Sequence, residues 1–201
     1  MKNSIFYAVM TLLVAGSLAF VPAGGYKVGD VAADFNLKNI DGKMVSLAQI
    51  PNAKGYVVIF TCNTCPYAQA YEDRIIELHK KLAPQGYPVV AINPNDPSIQ
   101  PADNFDAMKK QAMKKGYPFY YLSDAKQDVT VKFGAERTPQ VFVLDEARKV
   151  RYIGAIDNNA MDAGAVSTRY VEAAVEAIQA GQDPDPAFTR AIGCGIKLKK
   201  K

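Results

Sequence analysis

Tyr56-Val57-Val58-Ile59-Phe60 runs directly into Thr61-Cys62-Asn63-Thr64-Cys65-Pro66, and a helical pattern begins near Tyr67. No other stretch restricts the fold as tightly. A continuous β-branched and aromatic run marks a strand covered on both faces. Ala68, Tyr71, Ile75, Leu78 and Leu82 recur every three or four residues, so one face of the helix packs on that strand's sheet. Pro84 and Gly86 stop the helix, and Val89-Val90-Ala91-Ile92 reads as the next strand. Strand, helix and strand in succession form a βαβ unit with a right-handed crossover. The class predicted is α/β, a mixed central sheet flanked by helices.

A strand that turns straight into a helix sets both thiols of the C-x-x-C at the helix N-terminus. Unsatisfied N–H groups and the macrodipole favour a thiolate there. Cys62 is expected to be the exposed nucleophile and Cys65, one turn deeper, the resolving thiol. Their Cys62–Cys65 disulfide is then the only redox group, with no cofactor and no metal. Pro66 suits the first turn, where its missing N–H removes no helical bond. Asn63 and Thr64 are expected to tune the potential through hydrogen bonds to sulfur. A zinc site would need two further ligands, and the chain offers only distant Cys194 and the lone His79, itself expected at the surface. Glu72 and Glu136 are proton-acceptor candidates for Cys65, of which Glu136 is retained. Cys194 has three readings: a third redox thiol reaching the site, an intermolecular cysteine, or an inert or structural one, the last being preferred.

C-x-x-C-P behind a buried strand, with Arg137-Thr138-Pro139-Gln140-Val141-Phe142-Val143-Leu144-Asp145 about 75 residues later, resembles the thioredoxin-fold redoxins. Within them it is similar to the thioredoxin-like thiol-disulfide branch of the AhpC/TSA and redoxin group. Phe35-Asn36-Leu37-Lys38-Asn39-Ile40-Asp41-Gly42-Lys43 and Thr189-Arg190-Ala191-Ile192-Gly193-Cys194 fit the same group, so the resemblance spans roughly residues 26–198. It implies a thioredoxin-like fold with an N-terminal β-hairpin and an inserted helix. It also implies that Pro139 is cis and faces the cysteines, and that Thr138 offers its backbone to a bound substrate strand. The chain departs from the Trp-Cys-Gly-Pro-Cys of thioredoxin itself and contains no tryptophan.

Elsewhere, Asp41-Gly42 is a hairpin turn between a strand through Phe35 and Leu37 and a second over Met44 to Leu47. Phe105, Met108 and Ala112 mark the face of a helix closed by Gly116, with lysines solvating the rest. Tyr120-Tyr121-Leu122 is a short strand, and Ser123 is expected to cap a brief helix carrying Val129 and Phe133. Gln140 to Asp145 and Lys149 to Gly154 read as antiparallel strands. Tyr170, Val171, Ala174, Val175 and Ile178 line a last helix, and Asp183-Pro184-Asp185-Pro186 opens a tail over residues 183–201.

A chain of 201 residues is long enough for one domain with its own core, here residues 26–182. Its net charge of +4 owes part to Lys197-Leu198-Lys199-Lys200-Lys201, a solvated run. No face interleaves aromatic and basic residues, which argues against a nucleic-acid partner. Residues 1–23 read as a signal peptide: Lys2, an apolar stretch from Ile5 to Val14, and cleavage after Ala19 or Ala23. The apolar stretch is short for a span, so no stable membrane insertion is expected after cleavage. The mature domain is then periplasmic or secreted, where disulfides persist.

The function expected is an extracytoplasmic thiol-disulfide oxidoreductase acting on protein thiols or disulfides. A reductase role would call for a membrane electron donor. One alternative is a peroxiredoxin-like peroxide reductase, weakened because Thr61 stands directly before Cys62 and position 58 is valine, against the P-x-x-x-T-x-x-C that peroxide cleavage needs. The other is a copper chaperone, since paired thiolates suit Cu(I), although His79 is poorly placed to assist.

Overall fold

The computed structural model describes residues 24–199; the signal peptide expected over residues 1–23 lies outside them, as do Lys200 and Lys201. The elements in chain order are β1 (Leu37–Asn39), β2 (Met44–Val45), β3 (Gly55–Phe60), α1 (Pro66–Leu82), β4 (Val89–Asn93), α2 (Phe105–Lys115), β5 (Tyr120–Ser123), α3 (Asp128–Phe133), β6 (Arg137–Thr138), β7 (Gln140–Asp145), β8 (Val150–Gly154), α4 (Tyr170–Gln179) and β9 (Cys194–Gly195). Seven strands form one mixed sheet in the order β2-β1-β5-β4-β3-β7-β8. β3, β4 and β5 run parallel, β7 and β8 are antiparallel on one side, and the β1–β2 hairpin extends the other edge through β5.

Alternation along β3 divides the core. Val57 and Ile59 face α1, α2 and α4 in one cluster with Tyr71, Leu78, Met108 and Val171. Val58 and Phe60 face the other way, onto α3 and the N-terminal segment, among Tyr26, Phe35, Leu47, Phe133 and Phe142. Every residue of β3 is buried, as its unbroken apolar run requires. Burying one such side chain contributes roughly 2 kcal/mol, so the two clusters supply most of the driving force. The sheet is thereby held rigid behind the loop that carries the cysteines.

The periodicity of α1 is realised: Ala68, Tyr71, Ile75, Leu78 and Leu82 are all buried. Glu72 is buried too, against expectation, because Lys115 pairs with it at 3.1 Å and Tyr117 donates to it at 3.0 Å. α2 is thus clamped onto α1 as well as packed through Met108 and Ala112. The second hairpin strand is shorter than expected; at Leu47 the chain turns into a 3-10 turn instead. Ser123 ends β5 rather than capping α3. Asp124, 1% exposed, holds that helix by accepting from the Thr130 N–H at 2.7 Å and from its hydroxyl.

His79 is half-buried rather than superficial, and its Nδ1 accepts the Val89 N–H at 3.2 Å. Only the unprotonated nitrogen can accept that bond, and burial pushes the ring below its ordinary value of 6.5. The unfolded chain therefore binds the proton first as pH falls. Stability should decline as the pH drops below about 6.5 toward the folded-state value, and His79→Gln should flatten that decline. Urea midpoints across the acid range check this; parallel curves for the two proteins would refute it.

The tail is ordered over its described part. Thr189 bonds Ile153 through N–H to O at 2.9 Å, and its hydroxyl accepts the Ala155 N–H, so the chain is fastened beside β8. It then crosses to pair β9 with β6, Thr138 opposite Cys194 and Arg137 opposite Gly195. Further on, the Ile196 N–H donates to the Glu136 carbonyl, the Asp96 N–H to the Lys197 carbonyl, and the Lys199 N–H to Gln127 Oε1. The side chains of Lys197 and Lys199 stay exposed, as a solvated run should, while the backbone beneath them is pinned.

Candidate active site

β3 delivers Thr61 and the cysteine loop to the C-terminal edge of the sheet, and α1 starts at Pro66, with Cys65 in the extended N-cap position. Across from the loop, the Thr138–Pro139 peptide bond is cis and leads into β7, which pairs directly with β3. Thr138 is therefore held against the cysteines from the neighbouring strand. Its hydroxyl lies 3.2 Å from Cys62 Sγ, and its carbonyl oxygen 3.1 Å from Cys65 Sγ. Cys62, Cys65 and Ala68 form a small buried cluster with Tyr67 and Cys194 against it.

The disulfide in this structure differs from the expected Cys62–Cys65 pair. Cys65 is joined to Cys194, with Cα atoms 5.9 Å apart, and Cys62 is the free thiol. The cause is the tail: β9 pairs Cys194 with Thr138, and Thr138 already touches Cys65. Gly193 is what allows so close an approach, since a Cβ there would lie 2.2 Å from the Thr138 carbonyl oxygen. Of the three readings of Cys194, the structure thus places it at the site and bonded within its own chain.

Cys62 is also not the exposed member of the pair: it is 4% exposed and Cys65 is 3% exposed. Burial pushes the Cys62 thiol above its ordinary value of 9.0, and the nearby Asp103 carboxylate pushes in the same direction. The Thr138 hydroxyl and the Cys65 and Thr64 backbone N–H groups pull the other way, and burial prevails. The backbone N–H groups at the helix N-terminus do favour the Cys62 thiolate, but desolvation of the buried sulfur outweighs them. Alkylation of Cys62 in the intact protein should accordingly accelerate with pH up to and beyond 9.0, with no plateau near neutrality. A rate that levels off near neutral pH would contradict this arrangement.

Asn63 and Thr64 do not turn their side chains to sulfur. The Asn63 N–H and the Thr64 hydroxyl both donate to Asp103, at 2.7 and 2.9 Å. Asn95 Nδ2 donates to the same carboxylate at 2.7 Å, and Asn93 Nδ2 lies 3.5 Å from it. Tyr121 donates its hydroxyl to Asn63 Oδ1 at 2.9 Å. Asp103, only 3% exposed, is thus the anchor of the cysteine loop, and sequence reasoning missed it. Its one signal was its position just beyond the turn-rich stretch after β4, which names no partner.

Pro66 occupies the first helical position as expected. The Glu136 side chain is exposed, and its contribution here is its backbone carbonyl, which accepts from Ile196. Glu72 is committed to Lys115 and Tyr117. Among the described residues no three His, Cys, Asp or Glu side chains are grouped so as to hold a metal ion. No helix among them is long and apolar enough to cross a membrane.

A buried strand feeding C-x-x-C into a helix, opposite a cis-proline at the head of the adjacent antiparallel strand, defines a thioredoxin-like redox domain. The chain belongs to the AhpC/TSA family, whose profile matches residues 28–153. That family consists of thioredoxin-like redoxins, which are generally oxidoreductases. An uncharacterized conserved protein from Geobacillus kaustophilus is similar over 87% of this chain and 94% of its own, at 33% identity and a TM-score of 0.82. Peroxidoxin BcpB from Mycobacterium tuberculosis is similar over 63% of this chain and 84% of its own, at 25% identity and a TM-score of 0.54. A thioredoxin-family thiol:disulfide interchange protein from Chlorobium tepidum shares the fold over 65% of this chain and 88% of its own, at 20% identity and a TM-score of 0.54. No curated protein matches the chain.

Proposed function

We propose that the protein is a thiol-disulfide oxidoreductase working outside the cytoplasm on protein thiols or disulfides. One observation carries this reading: a cysteine-bearing strand lies antiparallel along Thr138 with its sulfur joined to Cys65, beside the free Cys62 thiol. A site that holds one such strand has the backbone edge that a substrate strand needs, with the free Cys62 thiol beside it. In the reductive direction the Cys62 thiolate attacks a substrate disulfide, forming a mixed disulfide and releasing one substrate thiol. Cys65 then attacks the Cys62 sulfur, which frees the second thiol and leaves the Cys62–Cys65 disulfide. Two electrons pass to substrate, and a membrane donor would restore the dithiol. The extracytoplasmic placement rests on the leader read over residues 1–23.

The test is reduction of an insulin-type disulfide by the fully reduced protein with a small-thiol donor. Reduction faster than the donor alone is expected; a rate equal to the donor's would overturn the reading. The potential of the Cys62–Cys65 couple then sets the direction, about −270 mV for a reductase and about −120 mV for an oxidant. Peroxide reduction is a second reading, favoured by the likeness to the peroxidoxin. It requires stoichiometric peroxide consumption with a sulfenic acid at Cys62.

A further inference from the structure

Three cysteines at one site can hold one disulfide and one thiol in more than one arrangement. The structure contains Cys65–Cys194 with Cys62 free; Cys62 and Cys65 are buried together, and the partly buried Cys194 packs against them. The strand carrying Cys194 occupies the edge of Thr138, the place a substrate strand would take in the proposed exchange. It is held there by more than its own two pairs. Gly193 makes the close approach, Ile196 donates to Glu136, and the Lys197 N–H donates to Asn95 Oδ1 at 2.9 Å. Asn95 donates in turn to Asp103, which anchors Asn63 and Thr64 between the cysteines. A single buried asparagine therefore bridges the docked tail and the cysteine loop.

We propose that Cys194 is a third exchanging thiol of this site, and that β9 is a built-in occupant of the substrate place which leaves when the disulfide moves. The Cys62 thiolate attacks Cys65 Sγ; the Cys65–Cys194 bond breaks and Cys62–Cys65 forms. The leaving Cys194 thiolate takes up the proton that Cys62 gave up. The step is an isomerisation, neutral in electrons, and needs no external oxidant or reductant. With its covalent link gone, β9 is held to Thr138 only by hydrogen bonds, and the edge becomes available to a protein strand bearing a cysteine. The inference deepens the thiol-disulfide reading and rests on it for the identity of the competing strand.

The experiment uses the full-length protein carrying one disulfide. Acid quenching, alkylation of the single free thiol, reduction and labelling of the remaining two with a second reagent, followed by peptide mass spectrometry, shows which cysteine was free. Label on both Cys62 and Cys194 is expected, in a ratio that becomes independent of how the disulfide was introduced. Gly193→Val, whose side chain meets the Thr138 carbonyl, should shift that ratio at least tenfold toward a free Cys194. Free thiol found only at Cys62 after prolonged incubation would make Cys65–Cys194 a static cross-link and overturn the proposal. Free thiol found only at Cys194 would overturn it equally, as would a Gly193→Val ratio equal to that of the natural chain. Insulin-type reduction assayed alongside separates the two ideas. Its absence in both the natural chain and Cys194→Ser defeats the oxidoreductase reading, whereas reduction without any movement of label defeats only the relay.

Discussion

Cys62→Ser is expected to lower protein-disulfide reduction by about three orders of magnitude or more, to the level of the small-thiol donor, because it removes the attacking sulfur. The fold should be little affected. The introduced hydroxyl would still sit beside that of Thr138, and the Cys65–Cys194 link is independent of position 62. Cys65→Ser should behave differently. Cys62 can still attack, but the thiol that releases the mixed disulfide is gone, and with Cys194→Ser introduced alongside no third thiol can replace it, so a covalent complex with the substrate should accumulate and be visible without reducing agent. A Cys62→Ser protein that keeps most of its reduction rate would refute the assignment. So would a Cys65→Ser, Cys194→Ser protein that attacks the substrate yet traps none of it. Unchanged far-ultraviolet circular dichroism in both variants, and an unchanged urea midpoint in Cys62→Ser, keep the comparison on chemistry; Cys65→Ser also loses the Cys65–Cys194 link, so its midpoint is compared with that of the fully reduced natural chain.

Removal of the Asp103 carboxylate should have the largest effect on stability near the site. Its oxygens accept from the Asn63 N–H, the Thr64 hydroxyl and Asn95, all within 2.9 Å, and it is buried with them. Asp103→Ala leaves those donors without their acceptor, and a buried unpaired donor costs about 1–3 kcal/mol. A total loss of about 3 kcal/mol is expected from urea denaturation. Asp103→Asn separates shape from charge: it keeps the size but removes the negative charge that pushes the Cys62 thiol up. The Cys62 pKa should then fall, read as faster alkylation near neutral pH at equal protein concentration. A purely structural anchor would leave that titration where it is. An unmoved Cys62 titration in Asp103→Asn would therefore exclude any electrostatic role for Asp103 at the thiol.

Much of the fold was legible because its signals are local. The α1 stripe from Ala68 to Leu82, the apolar β3 run and the Gly116 stop each act within a few residues, and each appears where expected. Hairpin and cap details fared less well. Leu47 turns into a 3-10 segment, and Asp124 rather than Ser123 secures α3. The reason is that Ser123 is already paired in β5, so a side chain one residue further along is the one free to serve the helix. Glu72 looked like solvent-facing polarity on α1 and is in fact the acceptor of a clamp from α2. Pattern within one helix cannot show a partner that arrives 43 residues later.

The amino-acid order by itself determined the βαβ frame and the pair Cys62 and Cys65 at the head of α1, because strand and helix periodicity and a strongly patterned motif act at short range; Thr138-Pro139 as their counterpart followed only from the resemblance to the redoxins. Tertiary structure alone decided what surrounds those sulfurs. It buried Cys62 and so reversed the expected direction of its titration, set Asp103 behind the loop, and brought Cys194 across 129 residues to Cys65. Desolvation and long-range pairing depend on which surfaces meet after folding, and spacing along the chain does not carry that information.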